Sequence, residues 1–285
     1  MKKGDKAAIV CCSNGQAATS ETTIKKLQNT LEQIGIIPVF SDFIYEKESV
    51  FSGTAKERAD SLMHFYQDDT IKAIFDISGG DLANEILPYL DYSIISKSDK
   101  LFWGYSDLTT IINAIYTKTQ KPSVLYQIRN LIYENSETQI AHFTNTIMES
   151  GTQNELFSFA YDFVQKDTME GIVVGGNIRC LLKLAGTEYF PDMNDKILFL
   201  EAYHGAVPQI VTYLSQLKQM GVFDKISGIL LGTFTAMESL KHSPTVVDFV
   251  KQYAGTNIPI AKTSDIGHGT DSKGIVIGAL LHLQK

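Results

Sequence analysis

Cysteine, tryptophan and arginine are scarce in this 285-residue sequence, which contains three cysteines, one tryptophan and three arginines. Cys11 and Cys12 are adjacent and Cys180 stands alone, so they match neither an even disulfide framework nor a C-x-x-C metal pattern. We therefore expect all three cysteines to be buried as small apolar side chains.

Long apolar runs and an excess of positive charge are also lacking. The longest apolar runs, such as 7–12 and 275–281, are far shorter than the roughly 18 residues that a membrane-spanning helix needs. The 25 Lys and Arg residues face 32 Asp and Glu residues, a net charge of −7 that disfavours a broad nucleic-acid-binding surface. No segment near the start is typical of a signal peptide. We expect a cytoplasmic protein that binds neither nucleic acid nor membranes.

Short apolar runs alternate with amphipathic segments through the first half of the sequence. The runs at 6–12, 36–40, 71–77 and 101–104 read as strands, and helical spacing over 24–34, 54–65, 82–90 and 108–118 reads as helices. This alternation predicts an α/β fold with a doubly wound parallel sheet, whose ligands bind at the carboxyl ends of the strands.

Residues 134–170 are more polar and less periodic, which places a domain boundary there. We predict an N-terminal α/β domain over 1–140, a linker over 141–170 and a smaller, β-rich α/β domain over 171–285. In the last of these, helices are clear only near 207–220 and 245–253, and a pair of strands over 275–283 closes the chain.

A serine stands where a parallel sheet presents nucleophiles. Gly104-Tyr105-Ser106-Asp107 follows a predicted strand and opens a predicted helix, so Ser106 lies above the sheet edge near free backbone N–H groups. The final glycine of the common nucleophile motif is missing, and an ordinary helix N-cap at Ser106 or Asp107 is the alternative.

A serine nucleophile needs a base and a group that orients the base. Of the six histidines, His268 lies in a glycine-flanked turn after a strand, where the imidazole is not committed to packing. Glu201 ends the apolar strand 196–201, where a carboxylate can accept the Nδ1–H of a histidine. A locally bonded histidine and a water-facing acid are the alternatives.

Two glycine pairs follow strands and precede helices, at Ser78-Gly79-Gly80-Asp81 and Gly175-Gly176-Asn177. Backbone N–H groups in such turns can receive an oxyanion, although a tight turn alone explains each pair. Neither pair forms a G-x-G-x-x-G or P-loop pattern, and no cluster has metal-ligand spacing. We therefore expect no cofactor and no metal.

Taken together, these motifs resemble the LD-carboxypeptidase family of serine peptidases, with its branch of microcin C immunity peptidases, over almost the whole chain. The stretches that carry the resemblance are Ser52-Gly53-Thr54, Ser78-Gly79-Gly80-Asp81, Gly104-Tyr105-Ser106-Asp107, Gly175-Gly176-Asn177, Leu198-Phe199-Leu200-Glu201 and Ile266-Gly267-His268-Gly269. The family's serine, glutamate and histidine fall on Ser106, Glu201 and His268.

The resemblance implies a serine carboxypeptidase that cleaves the amide between an L-centre and a C-terminal D-amino acid in murein peptides, in cell-wall recycling. It also implies a site between two domains, an oxyanion hole formed by the amides of Gly80 and Asp107, and a homodimer. The partner is then a small peptide substrate, for which Gly79, Asp81 and Arg179 are candidate contacts.

Departures from the family pattern keep the substrate class open. The arginine-preceded Gly-Gly-Tyr-Gly of LD-carboxypeptidases is replaced by Ser78-Gly79-Gly80-Asp81, which is closer to the immunity branch. Yet the immunity peptidases have a longer linker with an aromatic residue, often tryptophan, that stacks on the nucleotide base. Here the linker is short, and the only tryptophan, Trp103, lies in a predicted strand. The alternatives are a peptidase that cleaves a peptidyl nucleotide and a catalytically weak binding relative. A carboxypeptidase also needs a carboxylate-binding group, for which Arg129 and Arg179 are candidates.

Overall fold

The strands and helices below are those of a computed structural model, which describes residues 1–151, 153–241 and 243–285. The strands are β1 (Lys6–Val10), β2 (Ile37–Phe40), β3 (Ile71–Asp76), β4 (Leu101–Gly104), β5 (Ser123–Leu125), β6 (Asp162–Gln165), β7 (Thr168–Asn177), β8 (Lys196–Ala202), β9 (Gly228–Phe234), β10 (Ile260–Lys262), β11 (Ile275–Ile277) and β12 (Leu280–Gln284). The helices are α1 (Glu21–Ile34), α2 (Ala55–Gln67), α3 (Tyr92–Lys97), α4 (Thr109–Thr119), α5 (Ser136–Ile147), α6 (Ile178–Leu182), α7 (Val207–Gln219), α8 (Thr235–Ser239) and α9 (Val246–Ala254).

The strands form two six-stranded sheets, ordered β11-β5-β4-β3-β1-β2 and β12-β7-β8-β9-β10-β6. Strands β2, β1, β3, β4 and β5 are parallel, and so are β7, β8, β9 and β10. Strands β11, β12 and β6 pair antiparallel at the edges. The predicted α/β fold is confirmed, and the structure shows that each half of the chain has its own parallel-rich sheet.

Local signals in the sequence explain several element ends. Helix α1 stops at Gly35, whose φ of 103° is left-handed and suits glycine. Helix α2 begins with a capping box, because Thr54 Oγ1 accepts from Glu57 N while a Glu57 carboxylate oxygen accepts from Thr54 N. The predicted helix near 82–90 is a 3-10 helix over Ala83–Tyr89 that contains Pro88, since proline removes an N–H that an α-helix needs.

Two parts of the chain differ from the prediction. The strands over 275–283 separate, because β11 pairs with β5 of the first sheet while β12 pairs with β7 of the second. The segment 141–170 includes the end of α5 and the edge strand β6, and the buried Phe143 of α5 packs on Trp103. Residue 152 of that segment lies outside the described residues. The domain limits themselves stay predictions.

Helix α4, which follows β4 of the first sheet, is hydrogen-bonded to the backbone of β7 in the second sheet. Asn113 Nδ2 donates to Gly175 O and Gly175 N donates to Asn113 Oδ1, both at 2.8 Å. Asn177 N donates to Thr109 Oγ1 at 3.0 Å, and a Cβ on Gly176 would lie 2.6 Å from that oxygen. The expectation that this glycine pair receives an oxyanion is therefore wrong, because the N–H groups of Gly175 and Asn177 already donate hydrogen bonds to side chains of α4.

The cysteines behave as the composition predicts. Cys11, Cys12 and Cys180 are buried free thiols, and burial raises the pKa of each. Across the residues that the structure describes, no helix combines the length and apolar character needed to cross a membrane.

Candidate active site

Ser106 lies in a strained turn where β4 ends. Gly104 closes the strand, and a Cβ there would lie 2.6 Å from Leu108 Cβ, so the tight turn requires glycine. Ser106 has a φ of 55°, which costs a non-glycine residue about 1–2 kcal/mol. It opens a 3-10 helix that continues into α4. The half-buried Ser106 therefore lies in a strained strand-to-helix turn, the kind of turn in which nucleophilic serines occur.

Glu201 and His268 form a close pair although they lie far apart in the sequence. Glu201 is completely buried near the end of β8, and its Oε2 is 2.6 Å from His268 Nδ1. Because Nδ1 donates to the carboxylate, Nε2 is the nitrogen that can accept a proton. Nε2 is buried, and it has no hydrogen-bond partner among the described residues. This is the arrangement of an oriented base.

Two tyrosines that sequence reasoning missed hold this pair. Tyr105 OH donates to Glu201 Oε2 at 3.1 Å, and its ring packs edge-on against His268. Burial, together with the negative charge of Glu201, raises the pKa of Tyr105 well above its usual value, so the hydroxyl stays a donor at neutral pH. Tyr203 stacks on the His268 ring at 4.9 Å. The only signal in the sequence is that Tyr105 directly precedes Ser106 and that Tyr203 follows Glu201 by two residues.

The serine and the histidine line one cavity of about 290 Å³. Its walls are formed by Ser78, Gly79, Tyr105, Ser106, Gln127, Arg129, Asn130, Tyr133, Tyr203, Gly267, His268, Gly269 and Thr270. Both halves of the chain contribute, as expected for a site between domains. In the described part of the chain, no three His, Cys, Asp or Glu side chains come together as a group that could hold a metal ion.

Ser78 and Gly79 of the turn 78–81 line the same cavity, whereas Gly80, Asp81 and Asp107 are not among its lining residues. Gly80 has a φ of 116°, and a Cβ there would lie 2.2 Å from Asn14 Cγ, so glycine is required. No hydrogen bond from the N–H of Gly80 or of Asp107 to any described residue is present. These two amides are free to receive an oxyanion.

Comparison with known proteins matches both halves of the chain. Residues 7–126 match the family model for the LD-carboxypeptidase N-terminal domain, and residues 170–283 match the model for the LD-carboxypeptidase C-terminal domain. The chain belongs to the LD-carboxypeptidase family. The resemblance noted from the motifs is confirmed.

Individual relatives of the chain include both a probable murein peptide carboxypeptidase and a microcin C7 self-immunity protein. A probable murein peptide carboxypeptidase of Bacillus subtilis is 27% identical over 98% of this chain and 88% of its own length. The microcin C7 self-immunity protein MccF of Escherichia coli is 29% identical over 76% of this chain and 72% of its own length. A solved structure of MccF with glutamyl sulfamoyl guanosine has a TM-score of 0.86 at 22% identity, over 100% of this chain and 97% of that one, which shows the fold alone.

Lys183 joins the two turns that carry the free amides. Its Nζ lies 2.6 Å from Oδ1 of the buried Asp107 and 3.0 Å from the backbone oxygen of Asp81. Asp107 Oδ2 also accepts from Ser13 Oγ at 2.6 Å and from Ala83 N at 2.9 Å. Sequence reasoning missed Lys183 because its partner, Asp107, lies 76 residues earlier in the chain, and no local sequence pattern marks such a pair.

Lys183→Met is expected to lower the free energy of unfolding by about 3 kcal/mol, because it leaves the Asp107 carboxylate buried without its cation. Urea unfolding measures the loss. Lys118→Met is the matched control, since Lys118 pairs with the exposed Glu188 and its loss costs about 1 kcal/mol or less. An unchanged unfolding midpoint in Lys183→Met would show that the Asp107 pair contributes nothing to stability.

The three arginines of the chain occupy different environments. Arg58 is buried, donates to Cys12 O and pairs with Glu85 at 2.6 Å, so it holds the loop after β1. Arg179 pairs with Asp81 on the surface and does not line the cavity, whereas Gly79 does. Arg129 lies in the cavity wall with Ser106 and His268.

Proposed function

We propose that this chain is a cytoplasmic serine carboxypeptidase that hydrolyses the amide between an L-centre and a C-terminal D-amino acid in murein peptides. The observation that carries the proposal is the 2.6 Å contact of His268 Nδ1 with Glu201 Oε2. It leaves Nε2 as the base in the cavity that Ser106 lines. The murein peptidase name of the Bacillus subtilis relative supports the substrate class.

The proposed reaction follows the triad logic of serine hydrolases. Ser106 Oγ attacks the scissile carbonyl while His268 Nε2 accepts its proton, and the carboxylate of Glu201 stabilises the imidazolium. The amides of Gly80 and Asp107 stabilise the oxyanion of the tetrahedral intermediate. His268 then gives its proton to the leaving amine, and water hydrolyses the acyl-enzyme by the same steps.

The second candidate is hydrolysis of a peptidyl or aminoacyl nucleotide. Its support is the turn Ser78-Gly79-Gly80-Asp81, which is closer to the immunity branch, and the 29% identity with MccF. A third possibility is a catalytically weak binding relative. The homodimer implied by the resemblance remains a proposal, which light scattering tests.

A mass-spectrometric screen of two substrates tests the proposal. Purified protein is expected to release D-alanine from a murein tetrapeptide and to leave aspartyl sulfamoyl adenosine intact, and a fluorophosphonate probe is expected to label Ser106. Cleavage of the nucleotide alone would favour the second candidate. Labelling absent at Ser106, with neither substrate cleaved, would favour the weak binding relative.

A further inference from the structure

Arg129 carries a positive charge without a carboxylate partner, and it borders two cavities, the one lined by Ser106 and His268 and a second one of about 210 Å³ that Gln16 also lines. It shares the wall with Ser106 and His268, and no carboxylate in the described part of the chain forms an ion pair with it. The other two arginines are paired with Glu85 and Asp81. A cation in the wall of a cleft attracts an anionic group of the ligand, because the protein walls screen the charge less than water does.

The hydrogen bonds of Arg129 hold the guanidinium without neutralising it. Its Nε donates to Gln127 Oε1 at 3.4 Å and its Nη1 donates to Gln16 Oε1 at 3.2 Å. Both acceptors are neutral amides, and three of the five N–H donors of the guanidinium have no partner among the described residues. The guanidinium also lies over the Tyr133 ring, 5.9 Å from its centroid. A cation held in place in this way loses little entropy on binding.

We propose that Arg129 binds the C-terminal carboxylate of the substrate and thereby selects peptides that end at the leaving amino acid. This inference rests on the proposed function, since it takes the anion to be part of the hydrolysed substrate. In a C-terminal amino acid the carboxylate carbon is two bonds from the leaving nitrogen, so both fit in a cavity of about 290 Å³. A guanidinium with three unpartnered N–H donors can bind a carboxylate in bidentate geometry.

The alternative carboxylate-binding group is Arg179, predicted from the sequence as a substrate contact. Its guanidinium pairs with Asp81 and donates to Gly80 O, so its charge is already compensated. It also lies outside the cavity wall. The geometry therefore favours Arg129, and it assigns Arg179 to holding the turn that carries Gly80.

Binding to the full chain with Ser106→Ala, which removes the nucleophile, tests the proposal without hydrolysis. The probes are N-acetyl-L-Lys-D-Ala and its C-terminal amide, with affinities measured by calorimetry. Ser106→Ala is expected to bind the acid about 10- to 100-fold more tightly than the amide, and adding Arg129→Gln is expected to abolish that preference. Adding Arg179→Gln, the matched change at the other arginine, is expected to keep it.

Four outcomes would overturn the assignment. In the first, the preference for the acid survives Arg129→Gln, and in the second it disappears with Arg179→Gln instead. In the third, neither peptide binds. In the fourth, Arg129→Gln weakens the binding of aspartyl sulfamoyl adenosine and leaves the binding of both peptides unchanged. Arg129→Lys, which keeps the charge but not the bidentate fork, guards against misfolding and is expected to retain part of the preference. The proposed function fails separately, if the wild type binds the acid through Arg129 and does not hydrolyse it.

Discussion

Replacing Ser106 by alanine is expected to lower kcat for the hydrolysis of an L–D peptide by about 10⁴-fold or more, with little change in KM. The variant has no hydroxyl to attack the carbonyl, while the two free amides and the cavity still bind the substrate. The backbone strain at a φ of 55° is similar for serine and alanine, so the free energy of unfolding should change little.

Steady-state kinetics and urea unfolding on the same preparation separate chemistry from stability. Ser96→Ala is the matched control, because Ser96 lies in α3 and its hydroxyl bonds only the backbone oxygen of Ser93 among the described residues. The control is expected to keep full activity. If Ser106→Ala retained more than about a tenth of the wild-type kcat, the nucleophile would have to be sought elsewhere.

Much of the fold could be predicted because its signals are local. Ile24, Leu27 and Leu31 recur at helical spacing and are the buried face of α1, and the spacing of Thr54 and Glu57 marks the start of α2. The sheet that receives β11 could not be predicted. Three apolar residues suit either sheet equally, and the pairing with β5, far earlier in the chain, decides between them.

Some residues of the candidate site could likewise be predicted from the sequence, and others could not. Ser106, Glu201 and His268 stand in motifs that the sequence displays, and the structure brings Glu201 and His268 into contact and places His268 in one cavity with Ser106. The roles of Tyr105 and Lys183 depend on contacts across the two halves, Tyr105 with Glu201 and Lys183 with Asp107. Those contacts join residues 96 and 76 positions apart in the chain, so no local spacing in the sequence could predict them.

Replacing Glu201 by glutamine is expected to lower kcat by about 10⁴-fold, the order seen when the orienting acid of a serine triad becomes an amide. The carboxylate accepts two hydrogen bonds at Oε2, from Tyr105 OH and from His268 Nδ1. The other oxygen, Oε1, is buried and has no partner among the described residues. The environment of Glu201 therefore suits an acceptor-only group and offers no place for an amide NH₂.

Either orientation of the glutamine is unfavourable. With its NH₂ at the Oε2 position, it faces the Tyr105 donor and turns His268 Nδ1 into an acceptor, so the proton moves to Nε2 and the base is lost. With its NH₂ at the Oε1 position, a buried donor is left unsatisfied at a cost of about 1–3 kcal/mol of stability. In both cases the negative charge that stabilises the imidazolium is gone.

Two further variants decide between orientation and substrate contact. Tyr105→Phe removes one hydrogen bond to Glu201 while keeping the charge, so its loss of kcat should be far smaller than that of Glu201→Gln. Glu201→Asp keeps the charge on a shorter side chain and should recover part of the activity. If Glu201→Gln raised KM while kcat stayed at the wild-type value, Glu201 would be a substrate contact, because an orienting acid acts on the chemical step and not on ground-state binding.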